Sequence, residues 1–150
     1  MVIRLLPVQI SNHWEVIKCA IEDSLPPIAG ESPEKMNRIL MNLLDGKMQC
    51  WVRVDEDKKI NLIVVTTISE DFCSGTKTLL LYCAFGYGSG HKVMWKELYD
   101  TFYKFGQSRG CDRCIAYSDN EYLIKILEYL GGDARYRMIT FPIGEPDESL

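Results

Sequence analysis

Three closely spaced glycines follow an apolar run in the middle of the chain. They are Gly86, Gly88 and Gly90, in a stretch over 79–95 that reads LLLYCAFGYGSGHKVMW. A strand, a glycine turn and a helix in this order can hold an anion, because backbone N–H groups and the helix N-terminus then face it. The pattern predicts a phosphate-binding loop; the alternative is a tight turn that needs glycine for positive φ angles.

Two widespread glycine loops fit this stretch poorly. The dinucleotide-binding pattern is G-x-G-x-x-G in a parallel strand–helix–strand unit, whereas the spacing here is G-x-G-x-G. The loop of nucleoside triphosphatases needs Gly-Lys-Ser or Gly-Lys-Thr, which the sequence lacks. Ser89 and His91 beside the glycines can add side-chain hydrogen bonds to a bound phosphate.

Proton transfer would fall to a few titratable side chains near the ends of predicted strands. Glu70 and Asp71 end one strand, Asp119 follows another, and His91 adjoins the glycines. A carboxylate or imidazole at such a position can take a proton from an attacking nucleophile. For each of them a solvated surface role is the alternative.

The cysteines give no clear metal or redox site. A zinc centre would need further ligands beside the one C-x-x-C pair, Cys111 and Cys114, and this pair follows a predicted helix instead of starting one. We therefore expect no metal and interpret all six as buried free thiols of a reducing compartment. They are Cys19, Cys50, Cys73, Cys83, Cys111 and Cys114.

Composition and charge exclude several classes of protein. The chain has 150 residues, 47% hydrophobic residues and a formal net charge of -4, which fits one domain with its own core. A nucleic-acid or membrane-surface protein needs clustered Lys and Arg, and no basic stripe is visible. No apolar run reaches the ~20 residues that span a bilayer, and no signal peptide precedes the first strand, so we expect a cytoplasmic protein.

Hydrophobic periodicity predicts an alternating order of strands and helices. A strand over 3–8 is limited by Pro7, a helix capped by Ser11 runs to Leu25, and a second helix starts at Ser32-Pro33. Strands over 49–54, 61–69 and 77–84 then read as an antiparallel meander. A third helix (91–106), a strand (114–117), a fourth helix capped by Asn120 and a strand (136–142) complete the order.

The fold class expected from this order is α/β, with a mixed sheet flanked by helices. The helices must lie on both faces of the sheet, because each has one apolar stripe. Residues 1–144 form a single domain in this interpretation, and 145–150 form an acidic C-terminal tail.

This arrangement resembles the GCN5-related N-acetyltransferase (GNAT) superfamily. The resemblance covers nearly the whole chain and rests on the glycine loop between the fourth strand and the third helix, and on an Asn-led last helix that ends in Leu130-Gly131. It implies a mostly antiparallel sheet of about six strands flanked by about four helices. It also implies that backbone N–H groups of the loop hold the pyrophosphate of acetyl-CoA.

Not every position follows the family's pattern. Gly88 and Gly90 match the loop, but Phe85 stands where the family has a basic or amide side chain, and the loop is shortened. Acetyl-CoA would contact the fourth strand, the loop and the last helix, at Tyr82, Cys83, Ala84, Gly86, Gly88, Ser89, Gly90, His91 and Asn120.

The catalytic positions are also only partly present. Leu127 occupies the place of the family's proton-donating tyrosine, and Tyr129 lies two residues on, about 200° around the helix. The candidates for acid–base catalysis are Glu70, Asp119 and Tyr129.

Two functions follow from the resemblance. The first is an N-acetyltransferase that transfers an acyl group from acetyl-CoA to an amine, on a small molecule or a protein. The second is a non-catalytic GNAT-fold module, as in some viral or phage proteins, that acts through protein–protein contacts. A homo-oligomer is compatible with both.

Overall fold

A computed structural model of the chain describes residues 1–26, 29, 32–88 and 92–144. Ten elements follow one another, in the order β1 (Val2–Arg4), α1 (Pro7–Asn12), α2 (Trp14–Glu22), α3 (Pro33–Leu44), β2 (Met48–Val54), β3 (Ile60–Glu70), β4 (Lys77–Gly86), α4 (Lys92–Ser108), β5 (Arg113–Ala116) and α5 (Glu121–Tyr129). The strands form one sheet in the order β1-β2-β3-β4-β5, in which only β5 runs parallel to its neighbour. The expected GNAT-like α/β fold is confirmed.

Two clusters of buried side chains lie on opposite faces of the sheet. One cluster joins α1, α2 and α3 to side chains such as Cys50, Val65 and Cys83 of the central strands. The other joins α4 to Trp51, Val64 and Leu79. Successive residues of a strand point to opposite faces, so the central strands β2 and β3 read as continuous apolar runs instead of alternating ones.

The first helix differs from the expectation, which placed a strand over 3–8 and a cap at Ser11. The strand ends at Arg4, Pro7 is the first residue of α1, and the Leu6 N–H donates to Gln9 Oε1 at 2.8 Å. Proline suits a first helical position because its fixed φ is helical and it needs no N–H partner there. A break at His13 then separates α1 from α2, which gives five described helices instead of four.

The expected last strand over 136–142 is also wrong. Residues 132–144 form neither a helix nor a strand, and each of them is exposed. Strand propensity is realised only when a segment pairs with a neighbour and packs one face, and this segment does neither. The described sheet therefore has five strands instead of six.

The caps expected at Ser32 and Asn120 and the charged turn between β2 and β3 are present. Ser32 Oγ accepts from Lys35 N at 3.2 Å, and Asn120 Oδ1 accepts from Tyr122 N and Leu123 N at 3.0 and 3.2 Å. Asp55 Oδ1 orders the charged β2–β3 turn by accepting from Asp57 N and Lys59 N. The tail over 145–150 lies outside the described residues.

Candidate active site

A gap between β4 and β5 is the main feature of the candidate site. The two strands pair only from Thr78↔Arg113 to Leu81↔Ala116. Beyond Leu81, β4 continues to Gly86 while β5 has ended, so residues 82–86 have strand β3 on one side and, in the part of the chain that the structure describes, no strand on the other. An unpaired strand edge offers N–H and C=O groups to an extended ligand.

A β-bulge lies where the two strands separate. On β3, Val65 and Thr66 are consecutive, but their partners on β4 are Cys83 and Leu81, so Tyr82 is an extra residue. A bulge bends its strand and redirects a side chain. Here Tyr82 packs half-buried against the α1–α3 cluster, while Leu81 packs against the α4 cluster.

The side chains of Cys83 and Phe85 pack in the hydrophobic core and not along the unpaired edge of β4. Cys83 is buried, and desolvation raises the pKa of its thiol to about 11, although a hydrogen bond with Ser24 opposes the shift. A thiol of this kind stays protonated and is a poor nucleophile. The Phe85 ring packs against the α1–α3 cluster and meets Tyr87 edge-on at 5.0 Å between centroids. The unpaired edge of β4 therefore contributes backbone groups and the small side chain of the exposed Ala84.

Gly86 and Gly88 end β4 without the backbone strain that the turn hypothesis required. Among the described glycines, positive φ angles occur at Gly46, Gly75, Gly110 and Gly131 and not at these two. A Cβ at Gly88 would meet nothing within 4 Å, and one at Gly86 would make ordinary contacts of 3.8 Å. The turn explanation is wrong for these two positions. Ser89, Gly90 and His91 lie outside the described residues.

Two buried side-chain polar atoms have no hydrogen-bond partner among the described residues. They are Asn61 Oδ1, on the β3 segment beside Gly86, and Trp95 Nε1, in the first turn of α4. Asn61 also anchors the end of the strand, since its backbone oxygen accepts from Tyr87 N at 2.9 Å. Buried polar groups are nearly always paired, so each of these atoms requires a partner, such as a water, that the described residues do not supply.

A second feature is an open cleft of about 710 Å³ that meets β4 at Tyr82. Its walls are α3, the start of β2 and the end of β3, with Arg38, Asn42, Gln49 and Thr67 among the lining residues. Desolvation, and to a lesser degree the nearby Cys83 thiol, raises the pKa of Tyr82, so its phenol keeps its proton at neutral pH. The bulge thus joins the unpaired edge to the cleft.

The three residues expected to catalyse are not brought together. Glu70 is exposed at the end of β3, where its backbone lies opposite Lys77 of β4. Lys77 is about 13 Å along β4 from Leu81, where β4 and β5 separate. Asp119 is exposed three residues beyond β5, next to the Asn120 cap. Tyr129 is 74% exposed on α5, whereas Leu127 is half-buried. Their catalytic roles stay predictions.

Several site residues escaped the sequence interpretation. Tyr82 was expected to contact acetyl-CoA, but the sequence interpretation assigned its phenol no catalytic role and assigned the polar atoms of Asn61 and Trp95 no role, because strand and helix patterns treat these side chains as packing residues. Lys35 and Arg38 line the cleft, and a sign of this was their i, i+3 spacing beside the apolar stripe of α3. The cysteine interpretation was partly wrong, since Cys19, Cys73 and Cys114 are exposed.

Within the described ranges, no group of three metal-ligating side chains occurs, and no helix is long and apolar enough to cross a membrane. No protein-family model matches the sequence, and no curated protein does. The comparison with solved structures is the informative one.

Several solved structures that resemble this chain are acetyltransferases. Aminoglycoside N-acetyltransferase AAC(6')-Iy, crystallised with a CoA-linked bisubstrate analogue, superposes with a TM-score of 0.70 at 16% identity, over 96% of this chain and 97% of its own. An aminoglycoside acetyltransferase from an uncultured soil sample, in complex with sisomicin, gives 0.69 at 14%, over 97% and 96%. A Trypanosoma brucei acetyltransferase gives 0.65 at 18%, over 95% and 99%. The likeness covers each chain almost completely, and at these identities it establishes the fold.

Proposed function

We propose that this chain, which has the fold of the acetyltransferases, transfers an acyl group from an acyl-CoA, in the first place acetyl-CoA, to an amine. The observation that carries the proposal is the separation of β4 from β5 after Leu81↔Ala116. The pantetheine arm of CoA is an extended chain with two amides, and it would pair with the free edge of residues 82–86 as an added strand does.

The phosphate end of CoA fits the opposite end of the same edge. Gly86 and Gly88 lie there without a conformational need for glycine, and a backbone without Cβ lets a phosphate approach closely. The N-terminal end of the 17-residue α4 follows the loop and favours an anion.

The reaction itself needs two groups held in line and two proton transfers. With the pantetheine on residues 82–86, the thioester lies near the bulge, and the acceptor amine approaches through the cleft. The neutral amine nitrogen attacks the thioester carbonyl; the C–N bond forms, the C–S bond breaks, the nitrogen gives up one proton to a base, and the CoA thiolate takes a proton. Holding both reactants at the bulge supplies much of the acceleration.

Tyr82 is proposed as the donor of that last proton. It is protonated at neutral pH and lies at the bulge and in the cleft. For the base that receives the amine proton, Glu70 and Asp119 stay the candidates, acting through water.

The experiment is a calorimetric titration with acetyl-CoA, followed by an assay of CoA release with a panel of amines. We expect micromolar binding that is lost in Gly88→Trp, because the indole would fill the space of the phosphate. Met41→Trp is the matched control, since Met41 is 68% exposed on α3 and does not line the cleft. No heat at millimolar acetyl-CoA with a folded protein would overturn the proposal.

The role of Tyr82 has its own test. Tyr82→Phe should lower kcat by about a hundredfold with an unchanged KM for acetyl-CoA, since general acid catalysis contributes about that much. Tyr129→Phe is compared directly. A loss of kcat in the Tyr129 variant alone would transfer the donor role to Tyr129.

A second candidate function is the non-catalytic module with a protein partner, which the sequence interpretation allows to be another copy of the chain. It is favoured by the exposed apolar side chains at the C-terminal end, among them Tyr136, Ile139, Phe141 and Ile143, which are 78% to 101% exposed. Patches of this kind mark interaction surfaces. A mass measured by light scattering that equals one chain, together with acetyl-CoA binding, would count against this candidate.

A further inference from the structure

The cleft that meets Tyr82 has an unusual charge for a site that would receive an amine. Its lining contains four cationic side chains, Lys35, Arg38, Lys47 and Arg109, and all four are exposed. Among the described residues, no carboxylate lines the cleft. An amine in its reactive state is neutral, so this positive charge serves another part of the molecule that binds there.

Little of this charge is neutralised inside the described part of the protein. Lys47 pairs with Asp45, at 3.6 Å between Nζ and Oδ2. Lys35 and Arg38 form no ion pair with the residues that the structure describes. Arg109 lies over the Phe105 ring at 5.0 Å, and its charge contributes, after desolvation, to lowering the pKa of Arg4. The surroundings of the cleft thus retain an excess of positive charge.

The cations are too far from the glycines to serve the phosphates of CoA. The cleft contacts β3 at Thr67 and Ile68, whereas Gly86 lies opposite Leu62 at the other end of β3. Five residues of strand separate Leu62 from Thr67, which is about 17 Å. Since the pantetheine would run between the two places, the cations face the acceptor side.

Neutral polar groups complete the lining and are held in place. The Gln49 side chain is 3% exposed; its Nε2 donates to Gly46 O at 3.3 Å and its Oε1 accepts from Thr66 Oγ1 at 2.8 Å. Trp51 Nε1 in turn donates to Thr66 Oγ1 at 2.9 Å. A satisfied chain of this kind rigidifies one wall, so the cleft does not have to order its polar floor when a ligand binds.

From this arrangement we infer that the acceptor is a small amine that also carries an anionic group, a carboxylate or a phosphate, bound by Lys35, Arg38 and Arg109. The inference rests on the proposed function, because it assigns a substrate class to the same cleft. Arg38 suits the role in particular, since its planar guanidinium can hold a carboxylate or a phosphate through two parallel hydrogen bonds. Polycationic amines would be repelled by the same residues, so the acceptor differs in charge from the sisomicin bound by one structural neighbour.

The test uses pairs of amines that differ only in the anion. O-phosphoethanolamine is compared with ethanolamine, and β-alanine with β-alaninamide, in the CoA-release assay with saturating acetyl-CoA. We expect kcat/KM to be about tenfold higher for the anionic member, as two or three exposed charge pairs together provide. The preference should fall as salt is raised from 0.05 to 0.5 M, because screening weakens exposed charges. The pair with the larger difference in kcat/KM, either the phosphate pair or the carboxylate pair, identifies which anion the cleft binds.

Two variants tie the preference to the cleft. Arg38→Gln should raise the KM for the anionic amine about fivefold. The kcat, the KM for acetyl-CoA and the KM for the amine without an anion should stay unchanged. Arg38→Lys should restore part of the lost affinity for the anionic amine. Lys125→Gln is the matched control, since Lys125 is exposed on α5 and does not line the cleft. The inference would be overturned if both members of each pair had the same kcat/KM, or if sisomicin were the preferred acceptor. It would also be overturned if Arg38→Gln and Lys125→Gln had the same effect.

A binding measurement separates this inference from the proposed function. The wild type and Arg38→Gln are each titrated with O-phosphoethanolamine and, separately, with ethanolamine in a calorimeter. This measurement needs neither acetyl-CoA nor turnover. Selective binding that is lost in Arg38→Gln, in a protein that fails to bind acetyl-CoA, would overturn the acetyltransferase function and keep the anion site. Binding of acetyl-CoA without any discrimination between the two amines would overturn the anion site alone.

Discussion

The two ends of the sheet are built very differently. Strands β1 to β4 with helices α1 to α4 enclose two cores, in which Ile21, Val65 and Leu79 are fully buried. In β5 all four residues are exposed, α5 buries only Ile126, and residues 132–144 are exposed throughout. The first region is stabilised by packing, whereas the second is attached to it mainly through the four parallel pairs with β4.

The contrast bears directly on the proposed site, which lies along the boundary between the two regions. The free edge of β4 is available because β5 is short and the chain leaves it after Ala116. A binding edge of this kind needs a rigid strand on one side and room on the other. The packed region supplies the first, and the sparsely packed region supplies the second.

The largest expected effect breaks the packed region. Leu79→Ala removes a side chain that is 0% exposed from the α4 cluster, where it also lies under Gly106. We expect a loss of about 3 kcal/mol in the free energy of unfolding, from lost transfer energy and a cavity. Urea denaturation checks this; a change below about 1 kcal/mol would mean that this core is less tightly packed than described.

A somewhat smaller effect is expected inside the buried hydrogen-bond chain. Thr66→Val keeps the shape of a fully buried side chain but removes the hydroxyl between Trp51 and Gln49. Two buried polar groups then lose a partner, at a cost of about 2 kcal/mol. The urea midpoint should shift with an unchanged m-value, and Thr67→Val, at a half-buried neighbour, should cost less.

The buried thiols of the α1–α3 cluster make the free energy of unfolding depend on pH. Desolvation, and then the nearby Cys83, raises the pKa of Cys50 from 9.0 to about 12 in the folded state. The folded protein therefore holds this proton more tightly, so its stabilising effect is complete below pH 9 and is lost as pH rises toward 12. We expect Cys50 alone to lower the free energy of unfolding by about 1 kcal/mol between pH 9 and 10, and Cys83, whose pKa is raised to about 11, to lower it by a similar amount.

Variants separate this thiol from other basic-pH effects. Cys50→Ala should reduce the fall between pH 9 and 10 by about 1 kcal/mol and leave the share of Cys83, although it lowers stability at pH 7. Cys73→Ser, at an exposed thiol, should leave the slope unchanged. Equal slopes in wild type and in Cys50→Ala would show that the thiol of Cys50 is not the group that titrates.

The smallest expected effect lies in the sparsely packed region. Phe141→Ser changes a side chain that is 82% exposed, so the free energy of unfolding of one chain should change by less than about 0.5 kcal/mol. A loss above 1 kcal/mol that depends on protein concentration would show that another copy covers this segment.

The comparison also explains which sequence predictions were right. The meander from β2 to β4, the Ser32 and Asn120 caps and the charged β2–β3 turn follow from local patterns, and all are present. Pro7 was misinterpreted because a proline can limit a strand or begin a helix, and only the packing of α1 on the sheet distinguishes the two. The strand expected over 136–142 has the right residues but no partner.

For the candidate site, the sequence by itself determined the glycine spacing, the strand that precedes it and the Asn-led helix, because these depend on residues near one another in the chain. Tertiary structure alone decided that β4 and β5 separate at Leu81, that a bulge directs Tyr82 toward a cleft, and that Lys35, Arg38 and Arg109 line that cleft. The physical reason is that register, bulges and clefts arise from contacts between distant segments. No local pattern of hydrophobicity or charge contains them.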